Sequence, residues 1–322
     1  MTEAPPAEGK RLPWSDIPAR LRADVERQLG ARVIEAVSQP GGFSPGVAAR
    51  LRLDNGGRVF VKAVGDVNPD SPRIHRSEAR IAAALPASAP APRLLGFLDA
   101  DGWVILILED IEGWMPAQPW QQAELDRVLD AMTALAATLT PAPIEAPPAT
   151  TSVPDLGRSW QLYASARAAG DTASTSTLAA VSAWAARNLD RCADLERNWA
   201  DAVRGACLAH GDIRADNVLL TPDRVVFVDW PWACLAPPWF DLVAMLPSVA
   251  MQGGPPPEAV LARQPLGQAA DADAVTVVVA ALAGFAWTSA QPDPPGLPTL
   301  RAFQRAQGLV ALDWLRQRTG WR

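Results

Sequence analysis

Two neighbouring stretches, HGDIRADNVLL (210–220) and VVFVDW (225–230), constrain the fold more than any other part of the chain. Each contains a short apolar run, and the turn-forming letters TPDR join them, which is the pattern of a β-hairpin. Such a hairpin returns Asp229 to the end where Asp212 and Asn217 lie. Two carboxylates and an amide then meet, and these groups can hold Mg²⁺ and accept a proton from a hydroxyl. A surface hairpin with ordinary turn acids is the alternative.

The order of these groups, D-x-x-x-x-N followed by an Asp at a strand end, matches the phosphoryl-transfer layout of the protein-kinase fold. The loop reads HGD where protein kinases read HRD. With that change the segment closely resembles the aminoglycoside phosphotransferase and choline kinase-like family of small-molecule kinases. The resemblance implies an α+β, bilobal protein-kinase-like fold.

The pattern of the 322-residue chain supports two lobes. Five apolar runs and one inserted helix predict a five-stranded antiparallel sheet in an N-lobe over residues 13–112. Ala- and Leu-rich segments predict a mainly α-helical C-lobe over residues 113–322, with the hairpin as its only strands. Residues 1–12 are polar and are expected to be disordered.

The turn signals set the expected bounds of these elements. Strands are predicted at 32–39, 47–53, 58–64, 93–98 and 103–108, and helices at 15–29, 71–85, 119–139, 158–168, 174–203, 238–250, 268–290 and 298–318.

Lysine is rare in this chain, because only Lys10 and Lys62 are lysine among 29 Lys and Arg residues. Lys62 lies in the predicted strand VFVKAV, where a compact ammonium on a flexible stem can reach a phosphate. The resemblance implies that Lys62 contacts the phosphates of ATP or GTP and that Glu78 orients it. The alternatives are a strand-edge Lys62 that extends to solvent and a Glu78 that pairs with arginines on its own helix.

The segment GGFSPG, residues 41–46, joins two predicted strands. Glycines let a backbone approach phosphate oxygens and offer N–H groups to them. By resemblance, Ser44 and Gly46 lie at the triphosphate, although a plain hairpin turn fits the letters equally well. In the family the adenine of the nucleotide is held by backbone groups just after the fifth strand. The resemblance therefore implies that Glu109 to Ile111 hold the adenine here. The acids of that segment could instead be solvated turn residues.

The resemblance also assigns the catalytic loop. Asp212 is the expected general base, and Asn217 and Asp229 are the expected Mg²⁺ ligands. Arg214 either reaches the γ-phosphate or forms a salt bridge from the loop to a helix. His210 is expected to brace the loop through bonds to backbone.

Asp241, His75 and the cysteines are expected to have structural rather than chemical roles. Asp241, in PPWFDLV, is expected to brace the catalytic loop, as the Asp at this place does in the kinase fold. His75 is expected on a helix surface. The three cysteines lack metal-ligand spacing and are expected to be reduced packing residues.

Composition argues against several functional classes. The net charge is −6 and no basic stripe is present, so nucleic-acid binding is not expected. The first residues do not resemble a signal peptide, and the longest apolar run, 274–287, is too short to span a bilayer. The expected protein is therefore cytoplasmic with no membrane partner. No feature of the sequence indicates an oligomeric state.

The acceptor is expected to be a small hydroxylated molecule. Only residues 230–240 separate Asp229 from Asp241, whereas a protein kinase needs a longer peptide-docking segment there. The function expected is therefore a Mg²⁺-dependent transfer of phosphate from ATP or GTP to an aminoglycoside or other antibiotic. The alternatives are a metabolic kinase for an amino alcohol, sugar or amino acid, and a nucleotide-binding scaffold. A scaffold is disfavoured because all four residues of the expected machinery, Lys62, Asp212, Asn217 and Asp229, are present.

Overall fold

A computed structural model describes residues 4–65, 69–153, 156–290 and 292–322, without the side chains of 288–290. The strands are β1 (Val33–Ser38), β2 (Val47–Leu53), β3 (Arg58–Val64), β4 (Leu94–Ala100), β5 (Trp103–Glu109), β6 (Cys207–Ala209), β7 (Val218–Leu220), β8 (Val225–Phe227) and β9 (Cys234–Ala236). The helices of the N-terminal part are α1 (Ala19–Leu29) and α2 (Ser71–Ala84). Those that follow are α3 (Gln122–Thr138), α4 (Ala149–Ser152), α5 (Ser159–Ala168), α6 (Thr172–Val181), α7 (Ala183–Arg187), α8 (Leu189–Glu196), α9 (Trp199–Ala202), α10 (Phe240–Met251), α11 (Pro257–Arg263), α12 (Pro265–Gln268), α13 (Ala272–Ala283) and α14 (Leu300–Thr319). Short 3₁₀ segments lie at Trp14–Asp16, Ala215–Asn217 and Gly284–Ala290.

The N-terminal sheet has the strand order β1-β2-β3-β5-β4, and all its neighbouring strands are antiparallel. Strands β2, β3 and β5 are apolar on both faces over most of their length, so they occupy the buried middle of the sheet. In this register Lys62 lies opposite Ala48 on one side and Leu106 on the other. Lys62 is therefore in the central strand, and the alternative of a strand-edge lysine is wrong.

The predicted hairpin is present as β7 and β8. Val218 pairs with Phe227 and Leu220 with Val225, and the Thr221 N–H donates to the Arg224 carbonyl at 2.9 Å to close the turn. One further backbone bond, from Val228 N–H to the Asn217 carbonyl at 2.9 Å, continues the pairing past the strands. This bond brings the end of the catalytic loop beside Asp229.

The C-terminal part differs from the sequence prediction in several places. The predicted helix over 268–290 is α13 followed by a 3₁₀ segment, and α4 and α11 lie outside the predicted helices. A second small sheet pairs β6 with β9, although the hairpin was expected to hold the only strands. The predicted helix over 174–203 is divided into α6, α7, α8 and α9, because Ser182 has an extended backbone and its side chain caps the next helix.

The segment Lys10–Leu12, expected to be disordered, makes backbone hydrogen bonds with Gly46 in the structure. The physical reason is that apolar groups follow at once. Trp14 and Ile17 are buried against the sheet, and the partly buried Leu12 packs on the same cluster. The chain before α1 is therefore anchored rather than free.

Two main apolar cores support these elements. One cluster lies between the sheet, α1 and the 3₁₀ segment at Trp14–Asp16, and a larger one fills the helical part. Cys192, Cys207 and Cys234 are free and buried, as the sequence predicts. Within the described residues no helix combines the length and apolarity needed to cross a bilayer. The division at residues 112 and 113 stays a prediction.

Candidate active site

A cavity of about 1110 Å³, including its open mouth, lies between the sheet and the β7–β8 hairpin. One end is lined by apolar side chains that include Phe60, Leu108 and Leu219. The other end is polar and is lined by Lys62, Asp229 and three residues of the glycine-rich segment, Gly41, Gly42 and Ser44. An apolar end beside a charged end suits a ligand with a flat ring and an anionic tail.

Lys62 connects two carboxylates at the polar end. Its Nζ lies 2.8 and 3.0 Å from the two carboxylate oxygens of Glu78 on α2, and 2.7 Å from Oδ1 of Asp229. All three side chains are largely buried. The predicted Lys62–Glu78 pair is therefore present, and Glu78 does not pair with the arginines of its own helix.

Charge pairing and burial compete within this group. Burial acts to lower the pKa of Lys62, but Asp229 and Glu78 outweigh it and raise the pKa above its ordinary value. Burial raises the pKa of Glu78 against the opposing ammonium. For Asp229 burial acts in the same upward sense, but Lys62 overcomes it and holds the pKa of that carboxyl below its usual range. Asp229 is thus the carboxylate of the pair that stays ionised, as a metal ligand requires.

The catalytic loop carries a second buried ion-pair group. Arg214 pairs with Oδ1 of Asp212 and, at 3.0 and 2.9 Å, with the carboxylate of Asp216. Burial raises the pKa of Asp212 to about 6, although Arg214 acts to lower it. Arg214 therefore forms salt bridges with the loop residue Asp212 and with Asp216 in the short 3₁₀ helix that follows, and its contact with a γ-phosphate stays a prediction.

The donor atoms of Asn217 and Asp229 suit Mg²⁺. The Asn217 amide nitrogen donates to the Asp212 carbonyl at 2.8 Å, which leaves the amide oxygen as the atom for a cation. Asp229 uses Oδ1 for Lys62, which leaves Oδ2. Among the described residues no group of three His, Cys, Asp or Glu side chains could enclose a metal. Two oxygen donors completed by phosphates and water match the usual magnesium site.

The backbone at Asp229 is strained, because its φ of 70° lies in the left-handed region. A non-glycine residue in this region costs of order 1–3 kcal/mol and persists only where the surroundings fix it. Here the Val228–Asn217 bond on one side and the Lys62 ion pair on the other fix it. The strain aims the carboxylate into the cavity instead of along the strand.

His210 and Asp241 brace the loop from below. The backbone N–H groups of His210 and Gly211 donate to the Asp241 carboxylate at 2.7 and 2.9 Å. The His210 Nε2 donates to the Val228 carbonyl at 3.0 Å, while its Nδ1 accepts from the Asp212 N–H at 3.3 Å. Burial lowers the pKa of His210 to about 4, so the ring is neutral and holds this tautomer. Both residues act as the sequence predicts, through backbone.

Replacing Asp241 by Asn should weaken this brace. Asn offers one acceptor where the carboxylate offers two, so one buried N–H group of His210 or Gly211 loses its partner. We expect the free energy of unfolding to fall by about 1–3 kcal/mol and kcat to fall more than KM changes. Urea unfolding and steady-state kinetics measure both. The matched control is Asp201→Asn, whose side chain is 77% exposed beside Arg204. An Asp241→Asn variant as stable as the control would contradict the brace.

The segment predicted to hold the base lines the apolar end of the cavity. The side chains of Glu109 and Asp110 form ion pairs, with Arg93 at 3.2 Å and Arg50 at 3.1 Å respectively. The Ile111 carbonyl accepts from Arg50 at 2.9 Å. The two acids are therefore not free turn residues, and the Ile111 carbonyl is already paired. The contacts of this backbone with a base stay a prediction.

The glycine-rich segment departs from its predicted form. Ser44 lines the cavity, but Gly46 does not, and the Gly46 N–H donates to the Lys10 carbonyl at 3.0 Å. Gly46 is required for a different reason, because its φ is 106° and a Cβ there would clash with the Ala63 carbonyl. The N–H of Gly46 is therefore already bonded within the protein, and a contact of Gly46 with the triphosphate stays a prediction.

Sequence reasoning missed three residues at this site. Arg11 lines the polar end, Asp216 holds Arg214, and the ring of Phe43 packs edge-on against Phe303 at 5.1 Å. The signal for Arg11 was available, because it directly precedes the apolar anchors of residues 12–17. His75, expected on the surface, is buried, and its Nδ1 donates to the Ser71 carbonyl at 2.9 Å.

The family follows from a comparison with known sequence families. A family model described as a phosphotransferase enzyme family matches residues 41–276, from the glycine-rich segment to α13. The chain belongs to this family. The chain is therefore a phosphotransferase. No curated protein matches the chain in sequence.

Solved structures place the phosphotransferase in the protein-kinase-like fold. A choline kinase from Cryptosporidium parvum Iowa II is similar with a TM-score of 0.53 at 12% identity, over 95% of this chain and 93% of that one. A choline/ethanolamine kinase family protein from Mesorhizobium loti has a TM-score of 0.54 at 14% identity, over 94% of this chain and 97% of that one. At these identities the likeness concerns fold. It confirms the α+β, bilobal prediction.

Proposed function

We propose that this phosphotransferase moves the γ-phosphate of ATP to a hydroxyl of a small molecule, with Mg²⁺ held by Asn217 and Asp229. One observation carries the proposal: the catalytic loop and the buried Lys62–Glu78 pair meet at Asp229, beside a cavity with an apolar end and a charged end. GTP is the alternative donor. A scaffold role has no support in a site with this complement of charged groups.

Asp212 is the proposed general base. Its Oδ1 is held by Arg214, so Oδ2 is the atom offered to the acceptor hydroxyl. As the acceptor oxygen bonds to the γ-phosphorus, the bond from that phosphorus to the bridging oxygen breaks, and the hydroxyl proton passes to Asp212. The products are the phosphorylated acceptor and ADP. In a loose transition state Asp212 contributes mainly by orienting the hydroxyl.

Lys62 is the proposed ligand of the α- and β-phosphates. A buried ammonium held by two carboxylates keeps its charge and position before nucleotide arrives, which is the preorganisation that stabilises developing charge. Mg²⁺ bound at Asn217 and Asp229 would supply the charge that neutralises the phosphate oxygens. Ser44 lines the polar end and is the proposed neighbour of the triphosphate.

The acceptor side favours a small molecule over a peptide. The connection from Asp229 to Asp241 is short, and its middle forms β9, which pairs with β6 inside the C-terminal part. No length remains there for a peptide-docking segment. Amino alcohols are supported as acceptors by the similarity in fold to a choline kinase and a choline/ethanolamine kinase family protein, and aminoglycosides by the resemblance of the HGD loop. Sugars and amino acids complete the set of candidate acceptors.

The test is a panel of acceptors incubated with the purified protein, Mg²⁺ and either ATP or GTP. The panel contains choline, ethanolamine, several aminoglycosides, monosaccharides, hydroxyl-bearing amino acids and a serine peptide. We expect nucleotide consumption that depends on one class of small acceptor and a product that carries one added phosphate by mass spectrometry. Phosphorylation of the peptide alone, or no binding of either nucleotide, would contradict the proposal.

A further inference from the structure

A short segment at the start of the chain crosses from one part of the molecule to the other. The Lys10 N–H donates to the Gly296 carbonyl at 2.7 Å, and the Glu8 N–H donates to the Thr299 hydroxyl at 3.2 Å, both next to α14. On its other side the Lys10 carbonyl accepts from Gly46 at 3.0 Å. We name residues 8–12 the N-terminal strap.

The strap places the Arg11 guanidinium under the glycine-rich segment. Its Nε donates to the Gln39 carbonyl at 3.2 Å, and its two terminal nitrogens donate to the carbonyls of Ser44 and Gly41. Two carbonyl oxygens of this segment, together with that of Gln39 just before it, therefore point toward Arg11. Carbonyl dipoles facing a triphosphate would repel it, so a cation between them and the phosphates is required.

None of the described carboxylates forms an ion pair with Arg11, and Asp229 acts on its charge only from a greater distance. Lys62 and Arg214 are each held by two carboxylates, whereas none of the described carboxylates lies within 4.0 Å of Arg11. Three of the five guanidinium N–H groups are used by carbonyls, which leaves two. A partly buried cation with neutral partners is costly unless a ligand supplies the opposite charge.

We propose that Arg11 binds the nucleotide phosphates, as a second cation beside Lys62 that the N-terminal strap delivers to the cleft. The proposal rests on the nucleotide site of the proposed function. The same side chain both ties the carbonyls of Gly41 and Ser44 and presents its remaining N–H groups to the anion. The phosphate contact beside the glycine-rich segment is thus made by the side chain of Arg11, since the N–H of Gly46 is already bonded to Lys10.

The experiment compares Arg11→Met and Arg11→Lys with wild type by titration calorimetry. The probes are ATP, ADP and adenosine with Mg²⁺, and the guanosine series in parallel. Losing charge-assisted bonds to phosphate should weaken triphosphate binding of Arg11→Met by about 10- to 100-fold, with adenosine binding unchanged. Arg11→Lys keeps the positive charge but loses the forked N–H groups of the guanidinium, so its affinity for ATP should lie between those of wild type and Arg11→Met. Arg20→Met, which alters a side chain 77% exposed beside Asp101, is the matched control and should bind as wild type.

Each other outcome overturns the assignment. Equal weakening for adenosine and ATP would mean that Arg11 only shapes the segment. Tighter ATP binding by Arg11→Met would mean that the guanidinium occupies the phosphate position as a plug. Unchanged ATP binding would remove Arg11 from the site while leaving the proposed function intact. A wild type that binds neither nucleotide series would instead contradict the proposed function.

Discussion

Replacing Asp212 by Asn should lower kcat by about 10²- to 10⁴-fold, the range for removal of a general acid or base. Asn matches Asp in size and can still accept from Asn217, but it cannot take a proton from the acceptor hydroxyl. It also lacks the charge that pairs with Arg214. Nucleotide affinity should change little, because Asp212 is not among the residues that line the cavity. Acceptor-dependent ADP release and calorimetric binding of ATP measure the two effects.

Asp216→Asn is the matched control for this experiment. Asp216 is the other partner of Arg214 and lies in the same loop, so its replacement also removes one buried ion pair without touching the proposed base. A loss in the control much smaller than the loss in Asp212→Asn separates proton transfer from loop geometry. Equal losses in the two variants would assign the effect to Arg214 and would remove Asp212 as the base.

Replacing Lys62 by Met should have the largest combined effect on stability and activity. The change leaves Glu78 and Asp229 buried without their shared cation, and breaking a buried ion pair from one side costs about 3–5 kcal/mol. Activity should also fall by about 10²- to 10³-fold, as when a preorganised donor to developing charge is removed. Thermal unfolding and kcat/KM with saturating acceptor report these losses.

A second substitution separates the two effects of Lys62. In Lys62→Met combined with Glu78→Gln one of the stranded charges is gone, so much of the lost stability should return. Activity should not return, because the phosphates still lack the ammonium. Recovery of activity together with stability would show that Lys62 only holds the fold. A stable, active Lys62→Met single variant would contradict both roles.

The sequence predicted the sheet and hairpin closely because turn chemistry marks their ends. The Asp54–Gly57 turn gave the bounds of β2 and β3, and the TPDR turn gave those of β7 and β8. The β6–β9 pair was missed because its strands, although as short as β7 and β8, are not joined by a turn and lie on either side of the hairpin in the sequence. Without a local turn signal, three residues are too few to indicate a strand.

The site residues that belong to a local motif could be predicted from the sequence. Those whose positions depend on contacts between distant parts of the chain could not. The HGD loop places Asp212, Asn217 and Asp229 by spacing, and the rarity of lysine singles out Lys62. No local pattern shows that the N–H of Gly46 is taken by Lys10, because that bond joins residues far apart in sequence. His75 was misassigned for a similar reason. The residues next to it in the sequence are polar, but the face of α2 that carries His75 is buried against the sheet.

The contacts of residues 8–12 have a mechanical consequence. The protein's two halves are joined by the covalent connection after β5, by the bonds from Lys10 to Gly296 and Gly46, and by cleft contacts that include the Lys62–Asp229 ion pair. Widening of the cleft therefore has to stretch or break bonds at more than one place around it. Cleavage of the chain between Arg11 and Leu12 would remove the tie that Lys10 makes and leave the cleft contacts in place.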